Sequence, residues 1–145
     1  MKRMIPLFAV IMFSLIASAQ TYLDLTDNMD ISSNSFIIIN PGNYSIQDVG
    51  EDGLIRISGQ ENIIIDGTGV YADGIDTTGY MIKIDNAKNI EIRNFASASL
   101  FYYAVHITNS DSIIIHQNNF SYNRVDSSGW INIWTNYGQA LGGGV

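Results

Sequence analysis

A short strand pattern recurs four times along the chain, and this recurrence limits the folds open to it more than any other feature. Each copy places a polar residue between two β-branched ones, and successive copies begin 27, 23 and 26 residues apart: Leu54–Ile57, Met81–Ile84, Ala104–Ile107 and Trp130–Ile133. A second isoleucine-rich strand follows the first three copies after a polar turn: Ile63–Ile65, Ile90–Ile92 and Ile113–Ile115. Repeats of this length, with β-branched strands, polar turns and no 3.6-residue apolar period, predict an all-β solenoid of about four coils.

Alternation within each strand predicts which side chains form the core, because neighbours along a strand face opposite sides of the sheet. The β-branched residues should point inward and lie on the same positions of the preceding coil, roughly 4.8 Å away. Turn asparagines should stack as well, Asn62 over Asn89 and Asn86 over Asn109, with side-chain amides bonded from coil to coil. A β-sandwich is the alternative fold, but its hairpins need tight turns and the linkers here are longer.

The first 19 residues have the composition of a secretory signal peptide. Lys2 and Arg3 give a positive start, an apolar run covers 5–17, and small residues precede the bond between Ala19 and Gln20, where we expect cleavage. A membrane anchor is the alternative, but the run is shorter than the ~20 residues needed to cross a bilayer. We therefore expect a signal peptide over 1–19, an N-terminal cap region over 20–35, and a parallel β-helix over 36–145.

Charge and cysteine content narrow the compartment and the partners. Removing the signal leaves five of the seven basic residues against all 14 acidic ones, a net charge of −9, which disfavours nucleic acid as a partner. The chain has no cysteine, so its stability cannot come from disulfides. These features predict a bacterial protein that is secreted, periplasmic or on the cell surface, with no membrane segment after cleavage; they do not define an oligomeric state.

Three segments resemble the pectate-lyase-like superfamily of right-handed, single-stranded parallel β-helices. The stretch 36–44 is similar to the family's hydrophobic strand followed by Pro-Gly-x-Tyr, 62–69 looks like its next element, and 113–120 is similar to its generic repeat. The resemblance covers roughly 36–133. It implies a polysaccharide partner, with an acidic glycan favoured, while a calcium cofactor is implied by the family alone; no cofactor is evident from the residues themselves.

The family's catalytic motifs do not carry over to this sequence. Polygalacturonase-like members use Asn-Thr-Asp, Asp-Asp, His-Gly and Arg-x-Lys, and none of these strings occurs. Lyase members place their base on coils further along, and the terminal 142–145 stretch reads like a turn into another strand, so we expect an N-terminal portion of a longer protein. Two functions stay open: a polysaccharide-cleaving enzyme, with a lyase slightly ahead of a hydrolase, or a non-catalytic binding or adhesin-type β-helix.

One outward column of polar residues is the predicted binding site. Arg56, Lys83, His106 and Asn132 occupy equivalent positions in successive coils, and alternation places Trp134 beside the last of them. Like charges at one strand interval repel, so an acidic polymer lying along the column would relieve a cost. The alternative is a solvated face whose cations extend into water.

Other polar and aromatic residues have simpler explanations. A second column, Asp66, Arg93 and His116, alternates in charge at its first step and predicts a stabilising pair between coils. The aromatic residues, among them Tyr71 and Tyr80, are expected in loops, where their rings either pack beside the solenoid or stack on sugars. The histidines lie in no nucleophile or metal-ligand pattern, which predicts surface or ladder roles.

Overall fold

The computed structural model describes residues 19–123, and within that range all regular structure is β-strand. Twelve strands are present: β1 (Gln20–Leu23), β2 (Met29–Asp30), β3 (Ser35–Ile39), β4 (Gly42–Ser45), β5 (Ile55–Ser58), β6 (Glu61–Asp66), β7 (Val70–Asp73), β8 (Tyr80–Asp85), β9 (Lys88–Arg93), β10 (Ser97–Ser99), β11 (Tyr103–Thr108) and β12 (Asp111–His116). No helix long and apolar enough to cross a membrane occurs in this part of the chain.

The strands form three parallel sheets, and the chain visits them in a fixed order. Sheet A contains β1-β3-β6-β9-β12, sheet B contains β2-β5-β8-β11, and sheet C contains β4-β7-β10. Each coil contributes one strand to sheet B, then one to sheet A, then one to sheet C, so the described residues make about three turns of a parallel β-solenoid. The all-β solenoid prediction is confirmed; the fourth predicted repeat, at 130–133, lies outside the described residues.

The segment 20–35, predicted as a cap region, takes part in the sheets. Its β1 pairs in parallel with β3, and its β2 pairs in parallel with β5. The first coil of the solenoid therefore begins at Met29, before the first repeat that is visible in the sequence. The repeat does not show this coil because a strand of two residues is too short for alternation to be recognised.

The predicted register is confirmed in both isoleucine walls. Ile55 pairs with Ile82 and Ile82 with Val105 in sheet B, while Ile63 pairs with Ile90 and Ile90 with Ile113 in sheet A. These inward side chains are buried through the third coil. The last described layer is less covered, since Ile107 is 37% exposed and Ile113 and Ile115 are half-buried.

The sharp turns between sheets B and A repeat one backbone conformation. Asn34, Asn62, Asn89 and Ser112 have φ of 60°, 58°, 56° and 58°, in the left-handed region that asparagine tolerates better than most residues. The Asn89 amide donates to Asn62 Oδ1 at 2.8 Å, and the Asn62 amide donates to Asn34 Oδ1 at 3.0 Å. The predicted stack of Asn62 and Asn89 is confirmed and extends one coil further.

The second predicted amide stack, Asn86 over Asn109, has a different partner. The Asn109 amide donates 3.1 Å to Asp85 Oδ1, which also accepts the Thr108 hydroxyl at 2.6 Å. A carboxylate is the stronger acceptor, and Asp85 immediately precedes Asn86 at the same turn. The prediction that these two amides bond each other is therefore wrong.

Candidate functional site: the outer face of sheet B

The structure brings three of the five predicted site residues into one column on the outer face of sheet B. Arg56 pairs with Lys83 and Lys83 with His106, as the repeat predicts. Asn132 and Trp134 lie outside the described residues. The predicted cleavage point is exposed, since Ala19 and Gln20 are both accessible and Gln20 begins β1; residues 1–18 of the predicted signal are not described.

Arg56 already has anionic partners within the chain. Asp30, its register partner on β2, accepts from Nε at 2.9 Å and from Nη2 at 2.8 Å, and Asp52 accepts from Nη1 at 2.5 Å. The bonds to Asp30 and then Asp52 raise the pKa of Arg56 above its usual value. The cation at this end of the column is therefore neutralised by the protein itself, without an external anion.

Lys83 has a different environment. Its Nζ lies 5.1 Å from the centroid of the Tyr80 ring, a cation–π distance, and it forms no ion pair within 4.0 Å in the described part of the chain. Asp85, two residues along the same strand, is occupied by Thr108 and Asn109. Lys83 is thus the cation of this column without an ion-pair contact in the described residues, and its charge interacts with that of Asp85 only through space.

Around Lys83 lies a group of rings that we call the aromatic cluster: Tyr80, Tyr102, Tyr103 and His106. The Tyr80 and Tyr103 rings are parallel, with an interplanar angle of 2° and centroids 6.0 Å apart. Tyr102 meets both edge-on, and the His106 ring lies 5.0 Å from Tyr80 and 5.6 Å from Tyr103. All four residues are half-buried, so the cluster lies at the boundary between the solenoid and solvent.

Backbone register and one buried carboxylate position the cluster. Tyr103 pairs with Tyr80 in the sheet, which stacks the two rings at one strand interval. The Tyr80 amide donates 2.8 Å to Asp48 Oδ2, and the Gly53 amide donates to both oxygens of Asp48. Asp48 is only 2% exposed, and Gly79, at φ +66°, lies so close that an added Cβ would be 2.5 Å from the Asp48 Cβ. Asp48 therefore anchors the start of β8.

The electrostatic environment keeps the phenols protonated. Burial, with the nearby charge of Glu51, raises the pKa of Tyr80, and burial, with Tyr102 beside it, raises the pKa of Tyr103. At neutral pH both hydroxyls are therefore hydrogen-bonding groups and not proton-abstracting bases. His106 Nδ1 is sealed from solvent without a hydrogen-bond partner in the described structure, so a ligand would meet this ring through its other edge.

The second predicted column forms the expected pair between coils. Arg93 Nε donates 2.9 Å to Asp66 Oδ2, and Arg93 Nη1 donates 2.8 Å to Glu91, which also lies 3.0 Å from His116 Nε2. Burial acts to raise the pKa of Asp66, but hydrogen bonds from Thr68, Arg93 and Asn94 outweigh it and place that pKa below its usual value. This network stabilises the outer face of sheet A.

Sequence reasoning missed the aromatic cluster because it placed the rings in loops. Tyr80 and Tyr103 instead begin β8 and β11, Tyr71 lies within β7, and Phe101 is fully buried. The signal was present in the repeat, because an alignment that sets Met81 on Ala104 also sets Tyr80 at the Tyr103 level. Tyr102 has no such signal.

Comparison with family models, with curated proteins and with solved structures gave no match. The class of this protein therefore rests on its strand order and register alone, and these show a parallel β-solenoid. Over residues 19–123, no group of three or more His, Cys, Asp or Glu side chains is placed to hold a metal ion.

Proposed function

We propose that this protein is a secreted polysaccharide-binding β-solenoid of the pectate-lyase-like kind, and that the outer face of sheet B is its binding surface. The observation that carries the proposal is the parallel Tyr80–Tyr103 stack on regular strands. Aromatic side chains combine a broad apolar face with a polar tip, which suits sugars that are apolar on one side and hydroxylated at the edges. Rigid strands hold both rings at a fixed spacing before any ligand arrives, which limits the entropy lost on binding.

Lys83 supports a preference for glycans that carry acidic groups. It lies on the cluster without an ion pair, so a sugar carboxylate or sulfate stacked there would meet an available cation. Because Arg56 is already neutralised, the preference rests on one residue and should be modest. We therefore propose a polysaccharide with spaced acidic groups.

The protonated phenols favour binding over cleavage at this surface. Elimination from an acidic sugar needs a base near neutral pH, and the raised pKa values of Tyr80 and Tyr103 make these hydroxyls poor ones. The proposal is accordingly a non-catalytic binding surface on the described coils. A polysaccharide lyase assay with polygalacturonate, read as unsaturated product, tests the enzymatic alternative on the same protein.

Affinity electrophoresis of the full chain through gels containing polygalacturonate or alginate tests the proposal. We expect retardation of the unaltered protein, and a loss of about tenfold in affinity, or ~1.4 kcal/mol, in the Tyr80→Ala/Tyr103→Ala double variant, because the stacking surface is removed. Lys83→Gln should weaken binding to these acidic polymers by a few-fold.

Tyr22→Ala is the matched control, because Tyr22 is 60% exposed on β1 of sheet A, away from the cluster. It should migrate like the unaltered protein. The proposal is contradicted if the double variant keeps its β-sheet circular dichroism spectrum and is retarded as strongly as the unaltered chain, or if neither polymer retards any form.

A further inference from the structure

The outer face of sheet C carries a second set of aromatic and polar side chains, distinct from the aromatic cluster. Strand register aligns Asn43, Tyr71 and Ser97 in one outward column. Ser45, Asp73 and Ser99 form the next column along the strands. The residues between them face inward, where Ala72 and Ala98 are buried.

Tyr71 lies at the centre of this surface with its ring open to solvent. It belongs to β7, the middle strand of the sheet, and is 53% exposed. The six outward residues border a shallow depression of about 290 Å³. Asn43 and Ser97, the neighbours of Tyr71 across the strands, have smaller side chains. The Tyr71 ring therefore forms one side of the depression and is not covered by them.

The polar groups around Tyr71 are not used by the fold. In the described structure, the side chains of Asn43, Ser45, Ser97 and Ser99 make no hydrogen bond, and Asp73 uses only Oδ1, which accepts the Ile75 amide at 2.8 Å. Elsewhere on the solenoid, outward polar side chains bond from coil to coil, as in the ladder of Asn34, Asn62 and Asn89. The sheet C groups are therefore free to bond a ligand.

The charge of the depression selects the kind of sugar. Its border carries one carboxylate, Asp73, and no cation. An acidic sugar would be repelled, whereas a neutral sugar could stack on the ring and exchange hydrogen bonds with hydroxyls, an amide and a carboxylate. This chemistry differs from that of sheet B, where Lys83 is available.

We propose that Tyr71 and its hydroxyl-bearing neighbours on sheet C form a second glycan site that takes uncharged sugar residues. A ring stacks on Tyr71 while Asp73 Oδ2 and the serine hydroxyls bond its edge. Such a site would let the protein engage neutral stretches or a neutral polymer independently of the sheet B surface.

Affinity electrophoresis of the full chain in gels containing hydroxyethyl cellulose, galactomannan or xylan tests the inference. We expect at least one of these neutral polymers to retard the unaltered protein, Tyr71→Ala to reduce that affinity about tenfold, and Tyr71→Phe to retain most of it, because a phenyl ring still stacks. Tyr22→Ala is the control, since Tyr22 is similarly exposed but its cross-strand neighbour is Ile38.

The outcomes separate this site from the one on sheet B. Retention of neutral-polymer binding in Tyr80→Ala/Tyr103→Ala, together with its loss in Tyr71→Ala, supports the inference even if the acidic polymers do not bind. The inference is overturned if no neutral polymer retards the protein, or if binding is lost in the sheet B double variant and unchanged in Tyr71→Ala.

Discussion

Asp48 shows how a single buried side chain anchors the strand on which the proposed binding surface begins. Its carboxylate accepts the Gly53 amide at 3.0 and 3.1 Å and the Tyr80 amide at 2.8 Å, thereby connecting one coil to the next. A buried donor that loses its acceptor costs about 1–3 kcal/mol. The position of Tyr80 therefore depends on a buried residue that lies beneath the outer face of sheet B.

We expect Asp48→Ala to lower the free energy of unfolding by about 2–4 kcal/mol, because one buried and one half-buried amide lose their acceptor. Asp48→Asn keeps one carbonyl oxygen and should lose about half as much. Urea unfolding followed by circular dichroism measures both. Equal stability of the alanine variant and the unaltered protein would show that water replaces the carboxylate at no cost.

At the residue scale, the sequence predicts which residues align between coils better than it predicts which side chains form ion pairs. Alternation correctly aligned Arg56, Lys83 and His106, because the repeat fixes their register. It did not predict that Asp30 neutralises Arg56, because Asp30 lies in a two-residue strand within the segment assigned to the cap. Side-chain pairing depends on such neighbours, which periodicity alone does not reveal.

At the element scale, the ladder of Asn34, Asn62 and Asn89 combines two contributions to stability. Each asparagine adopts a left-handed conformation, and their amides bond along the solenoid axis. The left-handed conformation costs an ordinary residue roughly 1–2 kcal/mol, and a net hydrogen bond contributes about 1 kcal/mol. The ladder thus joins three coils at their sharpest turns.

Substitutions at Asn62 should separate these contributions. We expect Asn62→Ala to destabilise the protein by about 2–3 kcal/mol, since it loses both the conformational preference and two amide bonds. Glycine adopts a φ of 58° without strain, so Asn62→Gly should lose about 1 kcal/mol less free energy of unfolding than Asn62→Ala. Thermal and urea unfolding provide the comparison; identical losses in the two variants would assign the whole effect to the amide.

Strand elements were predictable where isoleucine alternation is strong and not elsewhere. The walls containing Ile63 and Ile90 were placed in register from sequence, because a slip by one residue would turn each strand's core face outward. The strands of sheet C escaped notice because their inward residues are small, as at Ala72 and Ala98. Tyr71, the residue on which the proposed second site depends, was consequently assigned to a loop.

At the scale of the whole molecule, hydrogen-bonded carboxylates predict a loss of stability in acid. The pKa values of Asp66, Asp76, Asp85 and Glu91 all lie below their usual values, through bonds from groups such as Thr78 for Asp76 and His116 for Glu91. A lowered pKa in the folded state means that ionisation favours folding above the unfolded pKa, about 4, and that this contribution is lost as pH falls through the folded values.

We therefore expect the melting temperature to be nearly constant from pH 7 to about 5 and to fall steeply below about pH 4. Asp66→Asn should be less stable at neutral pH and show a shallower fall, because one titrating group is gone. Differential scanning calorimetry across this range measures both. A parallel fall in the two proteins would assign the acid limit to the other carboxylates.

The sequence predicts the molecule's class well and its activity less directly. Repeat spacing and β-branched composition indicated the solenoid, because stacked coils need the same residue types at each level. Secretion, the continuation of the repeat past residue 123 and any catalytic coil stay predictions. The candidate sites depend on which side chains face outward together on neighbouring strands, and the repeat in the sequence shows this for Tyr80 and Tyr103 but not for Tyr102 or Tyr71.

The equal spacing of the coils also means that the length of each outer face is a whole number of interstrand steps. On both outer faces, equivalent backbone positions recur at one interstrand step of roughly 4.8 Å, a distance set by backbone hydrogen bonds and independent of the side chains. Duplication of a coil would therefore lengthen all three sheets by one step, because each coil contributes one strand to each sheet. Natural length variants of such a chain should differ in the reach of their binding surface before they differ in its chemistry.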